Sequence, residues 1–494
     1  MNLFRTVLYL LLPLLSVSSL FAANAGDLDV TFGTGGKVYN LPTNFIPGED
    51  VAIQADGKLV LAGSTLGPDN TQDFAVVRLN ADGSPDTGFG ASGLVGIPFD
   101  TNFNEMGTAI VVQSDGKIVV AGSVQGGAAG WDFGAVRLNS NGTVDATYNG
   151  GKVKVDVSPP AGGDDFAFDM VLQTDGKVVI TGTTRPTPNK DIALVRLTTA
   201  GVVDPTFNGG RIRIAIGSGN EDEGLGLALQ TDGQIVIAGT TGGDFCLVRI
   251  TAGGMADASF GLGGFVQTPI GTQLDKAFSV AIQSDGKLVA GGTANSGSFD
   301  EAAFARYTIG GQLDSTFDGD GKATFDVRAM NSDSIKSVLI QADGKIVGVG
   351  ASGGSFILVR LDSAGMLDPS FGLGGKVVQN IAPDNSAAHR AILQPDGKIV
   401  VVGDGAGNST FGFTAARFLA APSRRAPFDF DGDGKTDIGI FRPVGAASEW
   451  WINRSSTGVT FALQFGASTD RIAPADFTGD GKADIAFFRP ASGE

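Results

Sequence analysis

The 494-residue chain carries 52 acidic against 35 basic side chains, a formal charge of −17, with 42% apolar residues and 75 glycines. That balance excludes a nucleic-acid partner, which needs basic surface to neutralise phosphate, and is compatible with calcium or a cationic ligand. One cysteine (Cys246) excludes an intrachain disulfide, and one histidine (His389) argues against a His-built zinc site or a Ser–His hydrolase.

The first residues read as a secretory signal. Arg5 supplies a short basic region, Val7 to Leu15 is apolar, and Ala23-Asn24-Ala25 fits small-x-small cleavage, so residues 1–25 are expected to be removed. The competing reading is a membrane anchor. Pro13, Ser16, Ser18 and Ser19 interrupt the apolar run, and no transmembrane segment is expected after cleavage.

Residues 26–420 repeat one unit. Its centre is Gln54-Ala55-Asp56-Gly57-Lys58, which returns at Gln113, Gln173, Gln230, Gln283, Gln341 and Gln394 with spacings of 53 to 60 residues. Asp-Gly between two β-branched runs is a hairpin signal, because glycine accepts positive φ and aspartate tolerates it. Each unit opens on Asp-x-Thr-Phe-like text, from Asp29 and Phe32 to Asp368 and Phe371. A Gly-rich turn and four apolar segments follow, the last resembling Phe74 to Leu79. All four segments are short, β-rich and bounded by turn residues. Four antiparallel strands per unit, seven times, predict an all-β, seven-bladed β-propeller of four-stranded blades; the alternative is an open stack of β units.

The phase of the repeat predicts how such a ring closes. With the strand before Asp-Gly innermost, the strand after Asp-x-Thr-Phe becomes the outermost strand of the preceding blade. Lys37 to Leu41 would then complete the last blade beside Phe413 to Phe418, leaving no free edge.

Asp-x-Thr-Phe, Gln-x-Asp-Gly-Lys and Val-Arg-Leu, in that order, resemble the delta-60 repeat, a secreted bacterial family expected to form propeller-like structures. The resemblance implies fold and is nearly silent on biochemistry.

Residues 421–427, including Pro422-Ser423-Arg424-Arg425-Ala426-Pro427, read as a linker. Beyond it, residues 428–494 hold a second repeat, Asp429-Phe430-Asp431-Gly432-Asp433-Gly434-Lys435-Thr436-Asp437, returning at Asp476 to Asp484 and expected to be cut short at Glu494. This part resembles FG-GAP or VCBS repeats, a β-repeat array. Carboxylates at the first, third and fifth positions with glycine at the sixth wrap a hard cation, Ca²⁺ above all, and Asp437 at the ninth completes the oxygen shell. The resemblance makes these the calcium ligands, with Lys435 contributing its carbonyl. The second loop offers Asp476, Asp480, Lys482 and Asp484, but Thr478 replaces a carboxylate, so weaker binding is expected there. Asp318-Gly319-Asp320 lacks the further carboxylate and reads as a turn.

Seven arginines recur on the last strand of each unit, from Arg78 to Arg417, matching the seven Asp-x-Thr-Phe aspartates. A structural Arg–carboxylate bridge in each blade is favoured over a ring of arginines for an anionic ligand. Eight residues before the repeated Gln stand Glu105, Asp165, Asp222, Asp275 and Asp333, with Ile46 and Ser386 in the first and last units. Capping of the loop entering the strand is favoured over a rim of carboxylates around the channel. His389 and Cys246 lack sequence partners for nucleophilic catalysis and are expected to pack or to be hydrogen-bonded, and Trp131 sits in a Gly-rich loop.

With no symmetry-breaking catalytic set legible, the expected function is a non-enzymatic binding, adhesion or cell-surface scaffold protein with an extracellular protein or carbohydrate ligand. The competing class is a carbohydrate-active hydrolase or lyase using carboxylates at the channel mouth.

Overall fold

The computed structural model describes residues 23–39, 48–126, 130–157, 163–185, 189–217, 219, 221–295, 297–407, 410–421, 430, 437–444, 446–472 and 484–489. Residues 25–421 form one compact unit, and residues from 422 onward belong to a second.

The first unit is built from seven four-stranded antiparallel sheets. Blade 1 runs Gly48–Ile53, Leu59–Leu66, Gln72–Leu79 and Leu94–Ile97 from the axis outward, and the next five blades repeat the order. The first strands (Gly48–Ile53, Glu105–Val112, Asp164–Leu172, Asp222–Leu229, Lys276–Ile282, Asp333–Ile340 and Asn385–Leu393) each contact the next around the ring, and the last contacts the first. These strands are therefore innermost, and the propeller is closed. The open-stack alternative is excluded.

The phase read from edge closure is the observed one. Blade 7 is Asn385–Leu393, Ile399–Gly407, Thr410–Phe418 and, as its outermost strand, Lys37–Val38. Lys37 pairs with Ala416 and Val38 with Ala415. The pairing is shorter than the Lys37 to Leu41 span expected, and residues 40 and 41 lie outside the described residues.

Seven apolar cores lie between the blades, one at each junction. Val60, Ala62, Phe74 and Val76 of blade 1 pack on Ile110, Ile118 and Val120 of blade 2, and Val400, Val402 and Phe413 of blade 7 pack on Leu59, Leu61 and Ala75 of blade 1. The Asp-Gly hairpins behave as their chemistry demands. Gly57 has φ 82°, and the Lys58 N–H donates to Asp56 Oδ1 at 3.2 Å. Asp318-Gly319-Asp320 is likewise a turn, closed by the Lys322 N–H on Asp320 Oδ1 at 2.9 Å.

In the second unit, Ile438–Val444, Ala447–Asn453 and Thr460–Ala467 form a three-stranded antiparallel sheet, and Arg471–Ile472 pairs with Phe487–Phe488. Phe430, Trp450 and Ile452 make its core.

Candidate functional site in the central channel

The arginines and aspartates expected to pair do so in all seven blades. Arg78 Nε donates to Asp86 Oδ2 at 2.7 Å, and Arg196 to Asp204 at 2.9 Å. Each guanidinium also lies over the aromatic ring of its Asp-x-Thr-Phe text, 4.4 Å from the centroid for Arg78 over Phe89. Its second nitrogen reaches a carbonyl of the next unit, as Arg137 does to Thr199 at 2.7 Å.

Sequence reasoning missed a third partner. The lysine of the hairpin motif meets the same carboxylate, as Lys58 does Asp86 at 2.8 Å and Lys177 Asp204 at 3.0 Å. Lys58, opposing burial together with the Gly88 N–H and Arg78, holds Asp86 down to about 2. These seven arginines are committed to cohesion between blades and form no anion-binding ring.

The carboxylates eight residues before Gln are caps. Asp165 Oδ2 accepts from the Val157 N–H at 2.7 Å, Asp275 Oδ2 from Ile270 at 2.8 Å, and Glu105 Oε1 from Asp100 at 3.3 Å, all with the side chain buried. They do not rim the channel mouth. Burial pushes Glu105 up to about 7 and Asp165 up to about 6.

What faces the axis is a register that sequence reasoning passed over. Every innermost strand carries a β-bulge five residues before Gln. The extra residue is Glu49, Thr108, Phe168, Leu225, Phe278, Lys336 or His389 in turn. A bulge re-aims a side chain by inserting a residue with no partner across the ladder. The opposing strand accommodates it with glycine: a Cβ on Gly182 would lie 1.9 Å from the Phe166 carbonyl oxygen. The glycine recurring within each second strand (Gly63, Gly122, Gly182, Gly239, Gly292, Gly350 and Gly403) carries that signal in the sequence.

Here the sevenfold symmetry breaks. His389 Nε2 lies 2.6 Å from Asp404 Oδ1, and its Nδ1 lies 3.5 Å from Glu49 Oε2 in blade 1. Burial disfavours the imidazolium, but the Asp404 hydrogen bond and Glu49 outweigh it and raise the pKa above 6.5. Lys336, in blade 6, sits 3.3 Å above the Phe278 ring centroid, and burial pushes it down to about 8 against the pull of Glu49. His389 is therefore hydrogen-bonded, as expected, but not isolated. Its partners come from other strands, where spacing along the chain hides them.

One residue further on, Arg390 Nε donates to Asp50 Oδ1 of blade 1 at 3.1 Å, and its Nη2 donates to Asp169 Oδ1 of blade 3. A pair joining blade 7 to blade 3 has to cross the axis, and the intervening blade 2 offers only Ala109 at this level. The remaining oxygens of both aspartates accept backbone N–H groups of the next blades, Ile110 at 2.8 Å and Leu227 at 2.9 Å. Cys246 is buried and Trp131 packs its ring 5.6 Å from Phe166.

Of the calcium-loop residues, Asp429, Asp431, Asp433, Lys435, Asp476, Thr478, Asp480 and Lys482 lie outside the described residues. Asp437 is buried, and its oxygens accept the N–H groups of Phe430 at 2.8 Å and Ser455 at 2.7 Å. Asp484 is half-buried beside the short pairing of Arg471 and Ile472 with Phe488 and Phe487.

The sequence matches the β-propeller domain of unknown function DUF5122 at residues 54–89, 113–148, 173–207, 230–260, 283–317, 341–371 and 394–420, one match in each blade. It is a DUF5122 β-propeller protein. An FG-GAP-like repeat matches at residues 429–487. No curated protein matches the chain.

Among solved structures, the DUF5122 chain is similar to a protein of unknown function from Dyadobacter fermentans DSM 18053, at 11% identity over 81% of this chain and 98% of that one, with a TM-score of 0.41. It is also similar to the polysaccharide lyase Uly1 (12% identity, 81% and 98% covered, TM-score 0.42) and to Drosophila Plexin A in complex with Semaphorin 1b (8%, 83% and 90%, 0.44). Likeness at this level says nothing of activity. Among the described residues, no helix is long and apolar enough to cross a membrane.

The shifted carboxyls set an expected pH profile. Asp86, Asp145, Asp204, Asp314 and Asp368 are depressed from 3.8, so their contribution is present above about 4 and lost as pH falls through their lowered folded values, about 2 for Asp86. Glu105, Asp165 and Asp50 are raised to about 7, 6 and 6, so theirs is present below about 4 and lost as pH rises through that range. Thermal melting of the propeller should be highest near pH 4 and decline as pH rises to about 7. A maximum at pH 8 would contradict the buried, protonated carboxyls.

Proposed function

We propose that this DUF5122 protein is an exported, non-enzymatic binding, adhesion or cell-surface scaffold protein, and that its ligand is an extracellular protein or carbohydrate taken at the channel mouth. The observation that carries this reading is where chemistry varies. The repeated arginines, lysines and aspartates are consumed inside the blades, whereas the bulge register presents Glu49, Lys336, His389, Phe168 and Phe278 toward the axis. Mixed charge and aromatic surface on a rigid ring is what recognition uses. Export rests on the signal-like residues 1–25, and cleavage after Ala25 would leave as terminus the Gly26 nitrogen, which already donates to Leu419 O at 2.7 Å.

A second reading, a carbohydrate-active hydrolase or lyase, is favoured by the Asp404–His389–Glu49 arrangement with a lysine of lowered pKa nearby, a set able to move a proton near neutral pH. The two readings separate in one experiment. The full chain is incubated with a panel of acidic and neutral polysaccharides and assayed for retention, unsaturated product and new reducing ends. Retention without product, weakened about tenfold or more by Lys336→Ala, supports binding. Product formation abolished by His389→Ala overturns it in favour of the enzyme.

The loops Asp429 to Asp437 and Asp476 to Asp484 are proposed to hold Ca²⁺ structurally. The donor set is all oxygen, and Asp437 already fixes the far end of the first loop through Phe430 and Ser455. Calcium at a hundredfold its Kd would add about 2.7 kcal/mol to the second unit. Chelator should therefore lower its melting, and Asp431→Ala should do the same without chelator. Unchanged melting in both would remove the metal.

A further inference from the structure

At five blade junctions the repeat sets two acidic side chains: the cap eight residues before Gln, and a second acid five residues before the strand arginine of the preceding blade. The pairs are Asp73 with Glu105, Asp132 with Asp165, Asp191 with Asp222, Asp244 with Asp275, and Glu301 with Asp333. Where the cap is Ser386 or Ile46, the companion is Ser355 or Gly412, so the two positions lose their charge together. Backbone bonds bring the two strands together there, from Asp222 N to Lys190 O at 2.9 Å and from Ser386 N to Gly354 O at 2.9 Å.

Several junctions answer the paired charge internally. Burial, with the charge of neighbouring Asp73, raises Glu105 to about 7, so this junction can hold a proton. Asp222 Oδ1 takes the Thr241 hydroxyl at 2.6 Å, and Asp191 takes Arg213. Asp275 Oδ1 takes the Asn295 N–H at 3.1 Å, and Asp244 takes Gln267 Nε2 at 2.8 Å. Asp333 Oδ1 has no hydrogen bond, but among the described residues no trio of carboxylates converges on it.

The junction of blades 2 and 3 differs. A third carboxylate, Asp156, follows the outermost strand of blade 2 (Lys152–Val155). One oxygen each from Asp132, Asp156 and Asp165 lies within 4.8 Å of the others. Asp165 is 0% exposed; its Oδ2 holds the Val157 N–H, the Thr184 side chain faces it from the paired strand, and its Oδ1 is buried without a well-formed hydrogen bond. A buried oxygen so weakly met in an acidic trio is costly unless something positive reaches it.

We propose that Asp132, Asp156 and Asp165 bind a hard divalent cation, calcium by its size, which fastens blade 2 to blade 3. Oxygens within 4.8 Å of one another fit a shell of about 2.4 Å radius, within calcium's bond-length range. The trio contains no imidazole or thiolate, the ligands zinc prefers.

Trp131 adjoins Asp132 and supplies the readout. Terbium, a calcium substitute, is titrated into the full chain and its emission followed under tryptophan excitation. A component displaced by calcium should disappear in Trp131→Phe and persist in Asp431→Ala, which alters only the C-terminal loop. Asp156→Asn, at a half-buried position whose change should leave the fold intact by circular dichroism, should weaken terbium and calcium at that component by about tenfold or more. Asp132→Asn should act in the same direction. Emission unchanged by Trp131→Phe, or a folded Asp156→Asn protein with unaltered affinity, overturns the site.

Discussion

Arg390→Leu is expected to destabilise the propeller by about 3–5 kcal/mol, the range for removing one partner of a buried ionic cluster. Asp50 and Asp169 have side chains 6% and 3% exposed, and neither has another cation within ion-pair distance among the described residues. Their other contacts are backbone N–H groups, which fix the carboxylates in place and leave them no escape by rotation. Leucine would leave two negative charges facing each other across a narrow axis. Protonation is then the cheapest relief, so the Asp50 carboxyl, already raised by burial, rises further in the variant. A raised carboxyl contributes stability below its unfolded pKa and loses it as pH climbs, so the variant should be hurt more at pH 8 than at pH 5. Adding Asp169→Asn to Arg390→Leu should recover much of the loss, because the amide oxygen can still accept an N–H and carries no charge. Guanidinium unfolding of the single and combined variants measures this coupling. A loss under about 1 kcal/mol for Arg390→Leu would mean that the bridge is solvated and does not hold the axis together.

The blade was legible because its determinants are local and repeated. Asp-Gly specifies a turn whatever surrounds it, and seven copies at an almost constant spacing leave little freedom in architecture. The Arg78–Asp86 pairing could be read because both residues recur in step. Lys58 could not, since Asp56 stands two residues away and offers a nearer apparent partner; in the structure the Lys58–Asp56 distance is 3.9 Å against 2.8 Å to Asp86. The capping role of Asp165 followed from the habit of aspartate at a strand entrance. The channel site stayed hidden for the opposite reason. His389, Asp404 and Arg390 each occur once in their registers, so no repetition marks them, and the bulge that turns position 389 to the axis is a backbone event signalled only by the opposing glycine. In a repeat protein, a register that changes from Glu49 to Phe168 to Lys336 while the hairpin five residues on stays nearly constant is where function should be sought.

Removing residues 26–39 is expected to have the largest effect, because this segment ties three blades at once. Gly26 N donates to Leu419 O at 2.7 Å, Asp29 N to Arg417 O at 2.8 Å, and Gly33 N to Asp82 O at 2.7 Å, reaching blades 7 and 1. Lys37 Nζ donates to Asn380 O at 2.6 Å, reaching the end of the outermost strand of blade 6. Asp29 carries the charge of both Arg417, at 2.7 Å, and Lys398, at 3.1 Å. Phe32 is fully buried beneath the Arg417 guanidinium, and its loss alone is comparable to a core Phe→Ala change, about 3–5 kcal/mol. Deletion would add an unpaired buried arginine and expose the edge of Thr410–Phe418 to solvent. An open edge next to apolar side chains invites pairing with another chain, so the truncated protein should form dimers or larger species and melt at lower temperature with reduced cooperativity. A synthetic peptide of residues 26–39 offers the missing strand, aspartate and phenylalanine in trans. Added in excess, it should restore a monomeric sedimentation profile and raise the melting temperature, as strand addition to an open sheet edge does elsewhere. The same peptide with Asp29→Ala and Phe32→Ala should fail. If the truncated chain stays monomeric and melts as the full chain does, the ring is held by the junction between the innermost strands of blades 7 and 1, and the closing strand is dispensable.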